Sequence, residues 1–352
     1  MLNKIGLSIQ TMFADLIQRS HDAAFDRDFP VNGSFYRKQV KGKSYWYYNG
    51  YAQDGKRYVK YVGPDSDPEI ASRIQNFHSV KTDFNDRRKV VRALVAAGLP
   101  QPLAPVGKLI DALARAGIFR LRACLVGTSA FQTYSGVLGV MLPSQHLQTV
   151  DIDIAQFLSV AIEVEDSVPE IPDILNEVDH SFRPVSHMMD GRKIIAFQNN
   201  SGLRVEFLTP NRGSDDYQAE PPILPALGGV AAQPLRFLDF LIRDPIRSVL
   251  LYGGGVLVNV PAPERYALHK LIVATRRRSE SAAKIEKDLA QAGVIIEAMA
   301  EHRQYDLYDA WNEAFERGEA WRIALQRGMD MLAQDKKEIL KSLLERCESM
   351  KR

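Results

Sequence analysis

The sequence predicts an α+β protein: a mixed sheet with flanking helices, preceded by a small N-terminal β-meander and followed by a C-terminal helical bundle. Three observations carry this. Short tyrosine-rich strands crowd residues 34–61, strands and helices alternate between 119 and 260, and beyond Pro263 the apolar residues recur at helical spacing. The predicted division is a helical segment at 1–33, a basic aromatic meander at 34–64, and a helical linker region at 65–118. A core at 119–260 and a helical domain at 261–352 complete it.

Residues 1–28 read as one or two amphipathic helices with Ile5, Ile9, Met12, Phe13, Leu16 and Ile17 on one face. The opposite face is not notably basic, so this stripe packs on a core rather than on a membrane. Ser34–Val40 and Ser44–Tyr48 read as strands across the turn Lys41-Gly42-Lys43. Asp54-Gly55 then turns the chain into a third strand, closed by Gly63-Pro64. Basic residues interleaved with aromatics can grip phosphates and stack bases. A tiny sheet equally needs aromatics for packing and lysines to protect its edges. Residues 65–99 read as helical, with Asp65 or Ser66 as cap and Pro68 in the first turn. Within them, the run Lys81–Arg92 reads as a solvated basic face, with a nucleic-acid contact as the alternative. A helix over Pro105–Ala116 stops at Gly117 and delivers the chain into the core.

The core opens with the apolar run Cys124-Leu125-Val126, which ends at Gly127-Thr128-Ser129. A helical pattern follows through Phe131, Tyr134, Val137, Leu138 and Met141. Val150-Asp151-Ile152-Asp153-Ile154 then reads as a strand with both carboxylates on one face. By itself such a pair is often the solvated face of a half-buried strand. Here it lies close to a helix N-terminus, whose free N–H groups suit phosphate, and a third carboxylate, Glu206, stands in the apolar run Leu203–Leu208. Carboxylates side by side repel unless a cation separates them, and three on adjacent strands can hold two Mg2+ ions.

Residues 159–190 carry acids and three prolines and read as largely irregular; His180 and His187 within them are more often surface or core histidines than metal ligands. Lys193–Gln198 and Leu203–Leu208 form a hairpin that places Glu206. Residues 210–234, rich in proline and glycine, read as a loop, a lid over a ligand or plain disorder. Arg247–Tyr252 and Val256–Val260 form a last hairpin around Gly253-Gly254-Gly255, a turn rather than a phosphate loop, since no Gly-Lys-Ser/Thr follows. Two or three amphipathic helices run from Tyr305 to the end.

An apolar share of 45% with 25% charged residues is that of a globular protein, and a net charge of +2 confines any basic surface to local patches. Two cysteines, no long apolar run and no leader pattern point to a cytoplasmic protein.

Gly127-Thr128-Ser129 before a helix, Asp151-x-Asp153, and the later strand carboxylate Glu206 resemble the DNA polymerase beta-like nucleotidyltransferase superfamily. Within it the chain is most similar to an uncharacterised bacterial nucleotidyltransferase-fold group, and distantly to abortive-infection nucleotidyltransferase toxins. The resemblance covers Leu121 to about Ala292. It implies that Asp151, Asp153 and Glu206 are catalytic metal ligands for Mg2+ or Mn2+, with a nucleoside triphosphate as substrate. It also implies that Gly127, Thr128 and Ser129, with Lys270 and Arg276 from the helix after Pro263, bind the nucleotide phosphates, with Asp288 a further site candidate. A long gap between the Gly127 turn and Asp151, containing Pro143 and His146, predicts an extra loop. The acceptor implied is a hydroxyl, with RNA or tRNA favoured through the meander; a protein or small-molecule acceptor is also compatible. A toxin or defence role would bring a cognate antitoxin partner. The alternatives are a nucleic-acid binder whose fold no longer catalyses, and an interaction module such as the neutralising half of a toxin pair.

Overall fold

The computed structural model describes residues 2–29, 33–51, 57–76, 84–143, 147, 149–163, 165–187, 190–211, 220–277 and 282–351. Helix α1 (Leu7–Asp28) buries Phe13 and Leu16 from its predicted stripe. Strands β1 (Ser34–Val40), β2 (Lys43–Tyr51) and β3 (Arg57–Pro64) make the predicted antiparallel meander. The Asp54-Gly55 turn lies outside the described residues. Tyr45, Tyr47 and Tyr61 sink into the main core, and Tyr48 packs against Phe29 and Phe35, so these rings hold the sheet to the protein. Lys38 pairs with Glu165, and Lys43 lies 3.8 Å from Glu163.

Helices α2 (Pro68–Asn76) and α3 (Phe84–Ala96) fill the next region, with Lys81 outside the described residues. Arg87 departs from the solvated face expected for it. It is buried and donates to the Gly254 carbonyl at 2.8 Å, satisfying an acceptor in the triple-glycine turn. Helix α4 (Ala104–Ala116) ends at Gly117, whose φ of 101° takes the left-handed conformation that glycine adopts without strain.

Strand β4 (Cys124–Val126) leads into the Gly127 turn. The pattern that reads as one helix is split into α5 (Gly127–Phe131) and α6 (Tyr134–Leu138), the second closed by Gly139 in the left-handed region. Met141 falls beyond both, and His146 lies outside the described residues. After β5 (Asp151–Ala155) come α7 (Leu158–Glu163) and α8 (Ile171–Val178), in a stretch expected to be irregular. Pro172 opens α8 at its first turn, where a missing N–H costs no hydrogen bond. Strands β6 (Arg183–Ser186), β7 (Ile194–Gln198) and β8 (Arg204–Pro210) follow, the last two forming the predicted hairpin.

The expected loop at 210–234 contains β9 (Ile223–Leu224), β10 (Val230–Ala231) and β11 (Gln233–Leu235), and β11 pairs in parallel with β8. Within that segment, read as a lid or plain disorder over 210–234, residues 212–219 lie outside the described residues. The main sheet has the order β4-β5-β8-β7-β6, with β11 added on β8. Helix α9 (Leu238–Leu241) and the hairpin β12 (Ile246–Leu250) with β13 (Val256–Val260) complete this part. The chain ends in α10 (Pro263–Arg276), α11 (Ala282–His302), α12 (Gln304–Glu316), α13 (Glu319–Asp330) and α14 (Gln334–Lys351). Both cysteines are buried and free. Among the described residues, no helix is long and apolar enough to cross a membrane.

Candidate active site

β5 and β8 run parallel in register, with Asp153 opposite Glu206 and Asp151 opposite Arg204. Alternation along a strand sends all four side chains to one face. The other face is apolar: Ile152, Ile154, Val205 and Phe207 are fully buried. The hydrophobic register therefore fixes the carboxylate register, because a one-residue slip would bury the acids.

Burial first, then the Glu206 and Asp151 carboxylates, push the Asp153 carboxyl up to about 6, while Lys270 and Lys284 pull the other way. Glu206 is held on its own strand by Arg204, whose Nε lies 2.5 Å from Oε1.

The turn after β4 comes up against this group. Val126 pairs with Asp153 across β4 and β5, so the next residue, Gly127, faces the Asp153 side chain. Its φ is 65°, and a Cβ there would collide with Asp153 Oδ2. The turn is braced from below by Tyr266 of α10. That buried hydroxyl lies 3.1 Å from the Gly127 carbonyl and 2.9 Å from Gln291 Oε1, one proton shared between two acceptors. Phe131 and Tyr134 pack on the same ring. Thr128 is half-buried, whereas Ser129 is fully buried and its hydroxyl finds no hydrogen-bond partner among the described residues.

Helices α10 and α11 bring the cations. Lys270 Nζ donates to Asp288 Oδ1 at 2.6 Å, and Arg277 Nε donates to Asp288 Oδ2 at 2.6 Å. Asp288, with 3% of its surface exposed, thus orders two cations and is not a free acid. Burial and then Lys270 hold the Lys287 amine below its ordinary range, which puts Lys287 in the same cluster. Arg276 goes elsewhere, with its guanidinium 5.1 Å over the Phe237 ring. Arg277, Lys287 and Tyr266 are the members that sequence reasoning missed. The spacing of Lys270, Arg277, Lys284 and Asp288 on two successive helices was the signal available for the charged ones.

Of the predicted residues, the structure brings together Gly127, Asp151, Asp153, Glu206, Lys270 and Asp288. Among the described residues, no three His, Cys, Asp or Glu side chains stand at a spacing that would hold a metal as they lie, His180 and His187 included. The donor chemistry nonetheless suits a hard divalent cation. Oxygen ligands converge on one face, and the repulsion that raises the Asp153 carboxyl is what such an ion relieves. Glu206 would exchange Arg204 for the ion.

A nucleotidyltransferase family model matches residues 104–316. A solved structure of an antigenic nucleotidyltransferase-like protein from Paracoccidioides brasiliensis is similar at 14% identity. That match covers 65% of this chain and 95% of that one, with a TM-score of 0.30. No curated protein matches the chain. The span matched by the family model contains the Gly127 turn, all three strand carboxylates and the cation cluster, and takes in well over half of the 352 residues; the chain belongs to this nucleotidyltransferase family.

Proposed function

We propose that the protein transfers a nucleoside monophosphate from a nucleoside triphosphate to a hydroxyl acceptor, with Asp151, Asp153 and Glu206 holding Mg2+ or Mn2+. The observation that carries this reading is the in-register facing of Asp153 and Glu206 beside the Gly127 turn, with a lysine–arginine cluster across from them. When bound, the metal would supply charge neutralisation for in-line displacement at the α-phosphate.

The chain's own residues then divide the work. The backbone at Gly127 and Thr128 takes the phosphates, and the absence of a Cβ at Gly127 lets that turn sit against the Asp153 carboxylate. Lys270 and Arg277 face the charge that develops on the leaving pyrophosphate, and Asp288 fixes their direction. Arg204, relieved of Glu206, remains directly opposite Asp151 and two residues from Glu206 as a further phosphate contact.

For the acceptor we favour RNA, with tRNA as the sensible form. Because Tyr45, Tyr47, Tyr48 and Tyr61 are buried, this rests more on exposed basic residues at the two ends of the meander, Lys41 and Lys43 at one and Arg57 at the other, than on stacking. A toxin or defence role with a cognate antitoxin belongs to the same proposal and rests on the resemblance noted in the sequence.

The test uses purified protein, each α-labelled nucleoside triphosphate, Mg2+ or Mn2+, and total cellular RNA and protein. The Asp151→Ala/Asp153→Ala double variant is the control. Label moving onto RNA with the wild type alone establishes the reading, and label on protein would change the acceptor. No label with any nucleotide, together with tight RNA binding, would instead identify a binder that does not catalyse.

A further inference from the structure

A second cleft, of about 800 Å3, opens beyond the far end of β4 and β5, away from the carboxylates. Arg122 and Phe157 line it, and both lie outside the strand ends opposite to Gly127 and Asp151. That volume is in the range of sites that enclose small organic ligands. Phe29, Phe119 and Phe157 supply an aromatic wall, and Asn259 stands beside them.

Among the described residues, charge in this cleft is balanced at every arginine but one. Arg247 is held by Asp67 and Glu69, Arg243 by Asp244 and Glu313, and Arg120 by Asp166. His21 adds no charge, since burial and then Arg247 and Arg73 bring it down to about 2. The Arg122 side chain is exposed and, among the described residues, has neither an ion-pair nor a hydrogen-bond partner. Its backbone is in the left-handed region, with φ 67°. A non-glycine residue there costs about 1 kcal/mol, and the surroundings must enforce it. They do. Asn259 Nδ2 donates to the carbonyls of Phe119 at 2.7 Å and Ala123 at 2.9 Å, and buried Gln156 donates to the Leu121 carbonyl at 2.6 Å. Three side-chain hydrogen bonds thus clamp the turn that presents one uncompensated cation at the mouth of an aromatic cleft.

We propose that this cleft is a second ligand site, separate from the nucleotidyl-transfer site, for a small organic anion bearing a planar ring. The ligand is of about nucleoside monophosphate size, with its acid group on Arg122 and its ring along the phenylalanine wall. Arginine suits this task because its planar fork meets a carboxylate or phosphate with two parallel bonds.

The test is isothermal titration of the full chain, without metal. The probes are the four common nucleoside monophosphates, phenyl phosphate and benzoate, with adenosine as the uncharged control. Arg122→Gly removes the cation while fitting the left-handed backbone, so this variant melts no lower than the wild type. At least one ring anion binds the wild type and Lys270→Ala equally. It binds Arg122→Gly about tenfold or more weakly, and Arg122→Lys with an intermediate loss. The proposal is overturned if no ring anion binds the wild type, or if Arg122→Gly binds as tightly. It is equally overturned if Lys270→Ala abolishes binding while Arg122→Gly leaves it intact, since the ligand would then occupy the transfer site.

Discussion

Gly127 sits directly against Asp153, with a left-handed backbone and no room for a Cβ before the Asp153 carboxylate. Two costs would fall on an alanine there. The left-handed backbone disfavours any side chain by about 1–2 kcal/mol, and the methyl group would drive the carboxylate from its place between β4 and β8. Gly127→Ala should lower the melting temperature modestly and reduce the transfer rate about 100-fold or more, because sub-ångström placement of reacting groups governs such rates. Paired melting and labelled-nucleotide assays check this. An unimpaired rate would remove the turn from the site.

Asp153 offers a test that does not depend on knowing the acceptor. Its folded carboxyl titrates near 6, above the unfolded value of about 3.9. Between those values the folded chain binds more protons than the unfolded one. Stability without metal therefore falls as pH rises from about 4 to about 6 and is level above that, with a total loss on the order of 2–3 kcal/mol. Asp153→Asn should flatten that slope and leave the metal-free protein at least as stable as the wild type at neutral pH. It should also abolish transfer and any stabilisation by Mg2+. Thermal melts across this pH range, with and without Mg2+, read all of these except transfer, which the labelled-nucleotide assay follows. A variant still stabilised by Mg2+ would take Asp153 out of the metal site.

What was legible in the sequence was what local pattern and short spacing encode. Alternation in Val150–Ile154 and Leu203–Leu208 fixed which face carries Asp151, Asp153 and Glu206, and the parallel register of β5 on β8 then aligned them. Gly117 marked a helix end, and the glycine turn at 253–255 formed as read. What stayed hidden depends on contacts between distant segments. Nothing near Arg87 announces that it will satisfy Gly254, and nothing near Gln233 announces a strand that pairs with β8. Arg276 and Arg277 are neighbours with equal chemistry. Only the packing of α10 on α11 decides that Arg277 meets Asp288 while Arg276 covers Phe237.

The shared partner of Lys270 and Arg277 separates binding from folding. Lys270→Ala leaves Asp288 paired with Arg277, so the fold should hold while the Michaelis constant for the nucleoside triphosphate rises about tenfold or more. Asp288→Ala leaves two partly buried cations facing each other without their acid, and it should cost about 3 kcal/mol of stability as well as nucleotide affinity. Steady-state kinetics and denaturant melts distinguish the two. Equal effects of both variants on stability would make Lys270 a structural residue only.

Glu313 of α12 ties that helix to α10 through Arg265 and to the segment after α9 through Arg243, and its titration has the opposite sign to that of Asp153. Partial burial pushes its carboxyl up, but hydrogen bonds from Arg265 and Arg317 outweigh this and bring it down to about 2. The distances are 2.7 Å from Arg265, 2.8 Å from Arg317 and 2.9 Å from Arg243. A folded value below the unfolded one of about 4.3 means the stabilisation is fully present above that pH and is lost as pH falls toward 2. With the pair partly open to solvent, the contribution is about 2 kcal/mol. Glu313→Gln should therefore melt below the wild type at pH 7, and the gap should narrow below about pH 4 and close only as both proteins are taken to about pH 2. Because Glu313 lies in the helical bundle, apart from the strand carboxylates, specific activity per folded molecule should stay unchanged. A gap that persists in acid would mean that the substitution disturbs packing rather than charge, and that the arginines are held by other partners such as Asp239.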